Sequence, residues 1–212
     1  MQALRLFFLS LFTLQSTLDA NAQGTPEQIL ESEISKAKIR YRIAKSKELE
    51  DSTQIRIFVV SFDKQLSETR GLALNEAKAL EYVQLPSGNF AKTISSSDLI
   101  PTEVPGLVEA FRTVLQSGDP GPGAICHEPT HCVTFIRRDQ HDPTKDRVLL
   151  NISVSVHCRN FIFPFASDLG NQAITTGDRL QTELLKLVGY PDTEQRRFEK
   201  RTDEDSTIRQ PK

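Results

Sequence analysis

Between Arg147 and Cys158 the chain alternates in a period of two. Val148, Leu150, Ile152, Val154, Val156 and Cys158 share one parity, and Asn151, Ser153, Ser155 and His157 share the other. Successive side chains of a strand point to opposite faces, so this pattern predicts a strand with one buried and one polar face. The run Val133 to Arg138 just before it is also strand-forming, and Asp142-Pro143-Thr144-Lys145 between them has type I turn chemistry. An antiparallel pair follows, which excludes an all-helical fold.

The other segments are placed around that pair. Residues 27–50 read as a long helix, although 36–43 also alternates as a strand would. The β-branched and aromatic run Gln54 to Phe62 predicts a central strand. A helix is expected over 72–83, a turn at Leu85 to Asn89, and a short edge strand at Phe90 to Ile94. Val104, Leu107, Val108, Phe111, Val114 and Leu115 fall at helical spacing up to Gln116, with Pro105 suited to the first turn. The Gly/Pro run 118–123 is a loop. Asn160 to Phe165 adds a short strand, and Leu180, Leu184, Leu185 and Val188 define a helix over Asp178 to Val188 that Gly189 and Pro191 stop. This mixture lacks a regular βαβ alternation. It points to an α+β domain, a mainly antiparallel sheet with several helices packed on one face.

The two ends differ from this body. Arg5, the apolar stretch Leu6 to Leu14 and the small residues Ala20 and Ala22 compose a secretory signal peptide over residues 1–22, with cleavage expected after Ala22. About nine apolar residues are too few to cross a bilayer core that needs roughly 20, so no transmembrane segment remains once the signal is removed. Residues 23–191 make one domain's worth of chain, and 192–212, charged and poor in apolar residues, read as a disordered polar tail. The net charge of −2, the absence of tryptophan and the few aromatics advertise no surface for nucleic acid. Six basic residues between Lys36 and Lys47 read as a solvated helix face balanced by nearby carboxylates rather than a docking surface.

Chemistry concentrates at Cys126-His127-Glu128-Pro129-Thr130-His131-Cys132. The segment matches H-E-x-x-H, in which two helical imidazoles (here His127 and His131) bind zinc and the glutamate (Glu128) is the catalytic base. Its surroundings argue for another role. Pro129 disfavours helix at Glu128, a Gly/Pro loop precedes the motif, strand-forming residues follow, and Thr134 and Arg137 stand where a third-ligand motif would need glycine and histidine. A secreted chain favours a disulfide instead. If Asp142 to Lys145 is the hairpin tip, cross-strand partners sum to 287. Phe135 then faces Ile152, Val133 faces Val154 and Cys132 faces Ser155. Cys132 points away from Cys158, and Cys126 is left to pair with Cys158. A one-residue slip would bring Cys132 to Cys158 instead. Asn151-Ile-Ser153 is a glycosylation sequon on the polar strand face. Ser61 and Lys64 form S-x-x-K without its companion motifs, a chance match.

No complete catalytic constellation is legible, and no cofactor is called for. The expectation is a secreted or periplasmic non-enzymatic binding module for a protein or small-molecule partner. The alternative is a secreted hydrolase, with zinc held by His127 and His131 and Glu128 as base, or with a thiol activated by a neighbouring histidine.

Overall fold

The structure, a computed structural model, describes residues 25–66, 81–117, 126–165 and 170–208. The signal peptide and its cleavage site, most of the helix expected over 72–83 and the loop 118–123 lie outside them. The chain divides into two compact units, Met1–Lys38 and Ile39–Lys212.

Helix α1, Pro26–Glu48, begins in the first unit. Thr25 and Gln28 form a reciprocal capping box there: the Thr25 amide donates to Gln28 Oε1 at 2.9 Å, and the Gln28 amide to Thr25 Oγ1 at 3.3 Å. Pro26 fills the first helical position, where its missing N–H is not needed.

The second unit holds the sheet. Its strands are β1 (Gln54–Leu66), β2 (Tyr82–Gln84), β3 (Phe90–Leu99), β4 (His131–Arg137), β5 (Arg147–Ser155), β6 (Asn160–Pro164) and β7 (Asn171–Thr175). They form one antiparallel sheet in the order β2-β3-β1-β4-β5-β6-β7. The α+β class is therefore as the sequence implies. β1 is central, as expected, whereas β3 is longer than expected and is flanked by β2, so it is not an edge. Neither β2 nor β7 carries a legible pattern: β7 buries only Ile174. The helices α2 (Pro105–Gln116) and α3 (Gly177–Leu187) pack on one sheet face with the C-terminal turns of α1. Their apolar stripes meet Ile55, Ile57, Val133, Phe135, Ile152 and Val154. Phe111 makes edge contacts with Phe135 at 5.3 Å and Phe161 at 6.1 Å, an arrangement that suits the ring quadrupoles. Among the described residues, no helix is long and apolar enough to cross a membrane.

The opposite face curls on itself. With strands about 4.8 Å apart, β2 and β7 would lie about 29 Å from each other in a flat sheet. Yet Asn171 Nδ2 donates to the Pro86 carbonyl at 3.0 Å, and Asn151 Nδ2 on β5 donates to the Gln84 carbonyl at 3.2 Å. The β2–β3 hairpin thus arches over the concave face. Its turn is the expected one, with Gly88 at φ 85°, where a side chain would be strained. A small second core of Val60, Leu85, Ala91 and Cys132, with Phe58 and Val83, fills the hollow.

Four expectations are corrected. First, the β4–β5 register differs by two residues: Phe135 faces Leu150, Val133 faces Ile152 and Cys132 faces Ser153. The Asp142 turn does form, with the Lys145 amide donating to the Asp142 carbonyl at 2.9 Å, but as part of a longer loop. There Asp139 Oδ1 accepts from the His141 and Asp142 amides, and Asp146 Oδ1 from the Asp139 amide. A shift of two preserves every strand side chain's face, so Cys132 keeps the face expected of it. Second, Val148 is 57 % exposed, because a bulge at Leu149 turns it outward. Third, the basic run on α1 is not wholly solvated: Arg42 is buried, and Lys45 Nζ donates to the Leu149 carbonyl at 3.1 Å. Fourth, helix α4 (Asp192–Ile208) occupies the segment read as a disordered tail. Ser61 Oγ donates to the buried Glu194 at 3.2 Å, and Phe198 stacks on His157 with ring centres 4.0 Å apart.

Candidate functional site

The Cys/His segment is extended from Cys126 to Pro129 and enters β4 at His131. Pro129 and the ladder continue the strand direction: the Thr130 amide donates to the Val154 carbonyl at 2.8 Å and the Val60 amide to the Thr130 carbonyl at 3.0 Å. Residues four apart share a face in a regular strand, but the chain bends at Thr130 and the two histidines of H-E-x-x-H end on opposite faces of the sheet, His131 against Val188 and His127 against Ser153. The zinc arrangement, which needs one helical turn between them, is not formed.

His131 turns to the helical face and is completely buried. Its Nε2–H donates to the Val188 carbonyl at 3.0 Å, just past the end of α3, and Nδ1 lies 2.9 Å from the Thr130 hydroxyl. Burial pushes its pKa down to about 4, so it is neutral at physiological pH. His127 turns to the concave face. Its Nδ1–H donates to Asn160 Oδ1 at 2.6 Å, and Nε2 accepts from the Ser153 hydroxyl at 2.8 Å. Asn160 Nδ2 donates to the Cys126 carbonyl at 2.8 Å, which sets the amide's orientation and with it the imidazole tautomer. Burial lowers the His127 pKa as well. Both nitrogens of each ring are engaged, and among the described residues no group of three histidine, cysteine or carboxylate side chains is placed to hold a metal. Glu128 lies between the two histidines on the extended segment, half-buried.

Cys126 and Cys158 lie at disulfide distance, their Cα atoms 6.1 Å apart. Cys158 is not on the strand, as the alternation suggests, but in the turn Val156–Arg159 after β5, where its amide donates to Ser155 Oγ at 3.1 Å. Arg159 closes that turn at φ 51°. Cys132 is buried on the concave face and donates to Asn151 Oδ1 at 3.1 Å. Burial pushes its thiol up to about 12, which removes the thiolate a nucleophile needs. Asn151, the sequon residue, is engaged at both ends of its amide: Oδ1 also accepts from Thr134 Oγ1 at 3.1 Å, and Nδ2 binds the Gln84 carbonyl.

A different site opens at the far end of β4. The loop between β4 and β5 and the start of β1 line an open cleft of about 520 Å³. Arg137, Arg138, His141, Lys145 and Arg147 line it, with Asp139 as the carboxylate among the lining residues. Asp139 is turned to its own loop, where two backbone amides occupy Oδ1. The cations have loose acidic neighbours: Arg137 and Asp51 at 3.5 Å, Arg138 and Asp146 at 3.9 Å, Arg147 and Glu48 at 4.0 Å, Lys145 and Asp142 at 3.3 Å. Exposed pairs of this length stabilise little and exchange readily for a better anion. A smaller hollow adjoins it across Thr53 and Arg138, walled by Leu99 and Ile100. The run from Arg137 to Arg147 shows this charge density in the sequence, on either side of the Asp142 to Lys145 turn signal.

No protein-family model matches this chain, and no curated protein or solved structure matches it either.

Proposed function

We propose that this is a secreted, non-enzymatic binding protein that takes an oxyanion-bearing ligand, a phosphate or sulfate ester, in the cleft between β4 and β5. The observation that carries the reading is the cleft lined by Arg137, Arg138, Lys145 and Arg147, exposed cations whose carboxylate partners stand 3.3 to 4.0 Å away and are solvent-screened. Guanidinium groups present forked donors that match such oxygens, and each charge-assisted bond contributes about 1.5–3 kcal/mol. The N-terminal signal pattern and the Cys126 and Cys158 pair support export to an oxidising compartment, where that pair is closed as a disulfide. Peptide mapping of the non-reduced protein checks the latter by recovering Cys126 linked to Cys158.

The binding test is calorimetric titration with inositol hexakisphosphate as the probe, at low and at high salt. Binding that weakens with salt, and falls about tenfold or more in Arg137→Glu and in Arg147→Glu, is the expected result. Unchanged affinity in both variants, or no binding at low salt, overturns the reading.

A further inference from the structure

The N-terminal turns of α1 carry an exposed apolar stripe. Leu30, Ile34 and Ala37 recur at intervals of four and three on one face of the helix, with Leu30 61 % exposed and Ile34 37 %. The next residue of the series, Tyr41, is packed on Phe163 and Phe165, so the open length runs from Leu30 to Ala37. Residues 26–36 are exposed on every side of the helix. A helical segment this short is marginal in water unless an apolar face is packed. We propose that the stripe pairs with the same stripe of a second copy of this chain, the two α1 helices lying antiparallel.

Charge selects both the occupant and its direction. Glu31 and Lys38 flank the stripe on one side, Glu33 and Arg40 on the other, so each flank is acidic toward the N-terminus and basic toward the C-terminus. In an antiparallel pair with Ile34 of each helix level with Ala37 of the other, like flanks meet end for end. Glu31 then comes beside Lys38 of the copy and Glu33 beside Arg40 of the copy, and the two-fold axis repeats each pair. Ala37 is small and leaves room for the facing Ile34. A parallel pair in register keeps Glu33 beside Lys38 but sets Arg40 against Lys45, a cation already committed to Glu48 and the Leu149 carbonyl. The contact of Glu33 with Lys36 at 2.7 Å within one helix is exposed at both ends, so it competes weakly. The seam is short, which places this dimer among weak, concentration-dependent associations.

None of these residues lines the basic cleft, so the proposal stands apart from the ligand reading. Sedimentation equilibrium of the purified full chain, run from about 1 μM to 1 mM at low salt, tests it. The expected result is an average mass that climbs toward twice that of the monomer and falls back as salt is added. Leu30→Gln combined with Ile34→Gln, both at exposed positions, is expected to weaken association about tenfold or more, with circular dichroism showing that the chain is still folded. Glu33→Lys alone and Arg40→Glu alone are each expected to weaken it. Combined, they restore it, because opposite charges meet again across the antiparallel seam. A chain that stays monomeric over the whole range overturns the proposal. So does association that survives the paired glutamine substitutions, and so does a combined charge reversal that binds no better than the single ones.

Discussion

His131 Nε2 donates to the carbonyl of Val188 at 3.0 Å and so ties the first residue of β4 to the end of α3. Burial lowers the pKa of this imidazole from 6.5 to about 4, against the Val188 carbonyl, which favours the charged form. The unfolded chain takes up this proton as the pH falls through 6.5, and the folded chain resists until about 4. Stability therefore declines across that window, by about 3 kcal/mol for this group, and is independent of it above 6.5. Half-buried His157, also lowered by burial, adds to the same slope. Urea unfolding at pH 7 and pH 4 measures the decline. His131→Gln is expected to be less stable at pH 7 and to show a flatter profile.

The buried thiol of Cys132 should ignore alkylating agents. With native, non-reduced protein at pH 8, iodoacetamide is expected to add nothing, because the thiolate is scarce and the sulfur inaccessible. In denaturant one carbamidomethyl group should appear, at Cys132. Rapid modification of the native protein, read by intact mass, would show that the concave face opens.

Phe111 is the ring shared by α2, β4 and β6 through its contacts with Phe135 and Phe161. Truncation to alanine removes buried area and leaves a cavity between helix and sheet. A loss of about 3–5 kcal/mol in chemical denaturation is expected.

Arg56 and Asp98 form a forked pair across β1 and β3, at 2.6 Å from Nε to Oδ1 and 3.0 Å from Nη2 to Oδ2. The Arg56 side-chain bond holds the Asp98 carboxyl below its ordinary range. Both side chains are exposed, so solvent screens most of this. Asp98→Asn should cost no more than about 1 kcal/mol, which separates this surface contact from the Phe111 core contact.

Asn151 satisfies the glycosylation sequon, but a glycan on Nδ2 would have to displace the β2–β3 hairpin from Gln84. Secreted from eukaryotic cells, the protein is expected to carry no mass increment on the peptide containing Asn151. Asn151→Ala should loosen the hairpin, visible as faster amide exchange at Val83 and Gln84.

Much of the fold is written in periodicity. Leu107, Phe111 and Leu115 mark the buried stripe of α2, and Ile152 and Val154 mark the core parity of β5, because those patterns are direct images of burial. The face of Cys132 was legible for the same reason, since parity survives a register error of two, whereas Cys158 lies in the turn after β5, where parity says nothing. What escaped depends on contacts between distant residues. Glu194 and Phe198 help to hold α4, a charged segment, and Ile174 is the buried residue of β7. The site around His127 needed Asn160 and Ser153, brought in by two other strands. Nothing local to Cys126–Cys132 distinguishes a histidine that meets them from one that meets a metal.

The placement of β1 bears on how the cysteines find each other. Ile57 pairs with Ser97 on one side and with Val133 on the other, so the centre of the sheet joins segments far apart in the chain. Cys126 and Cys158 are separated by 32 residues that contain the whole β4–β5 hairpin. Local loops close at lower entropic cost and sooner than distant ones. In the export proposed above, the hairpin can form ahead of the sheet, and its register already aims Cys132 at Ser153. The choice among three thiols is thereby made within a short stretch of chain, before the strand that will later bury the unused one has docked.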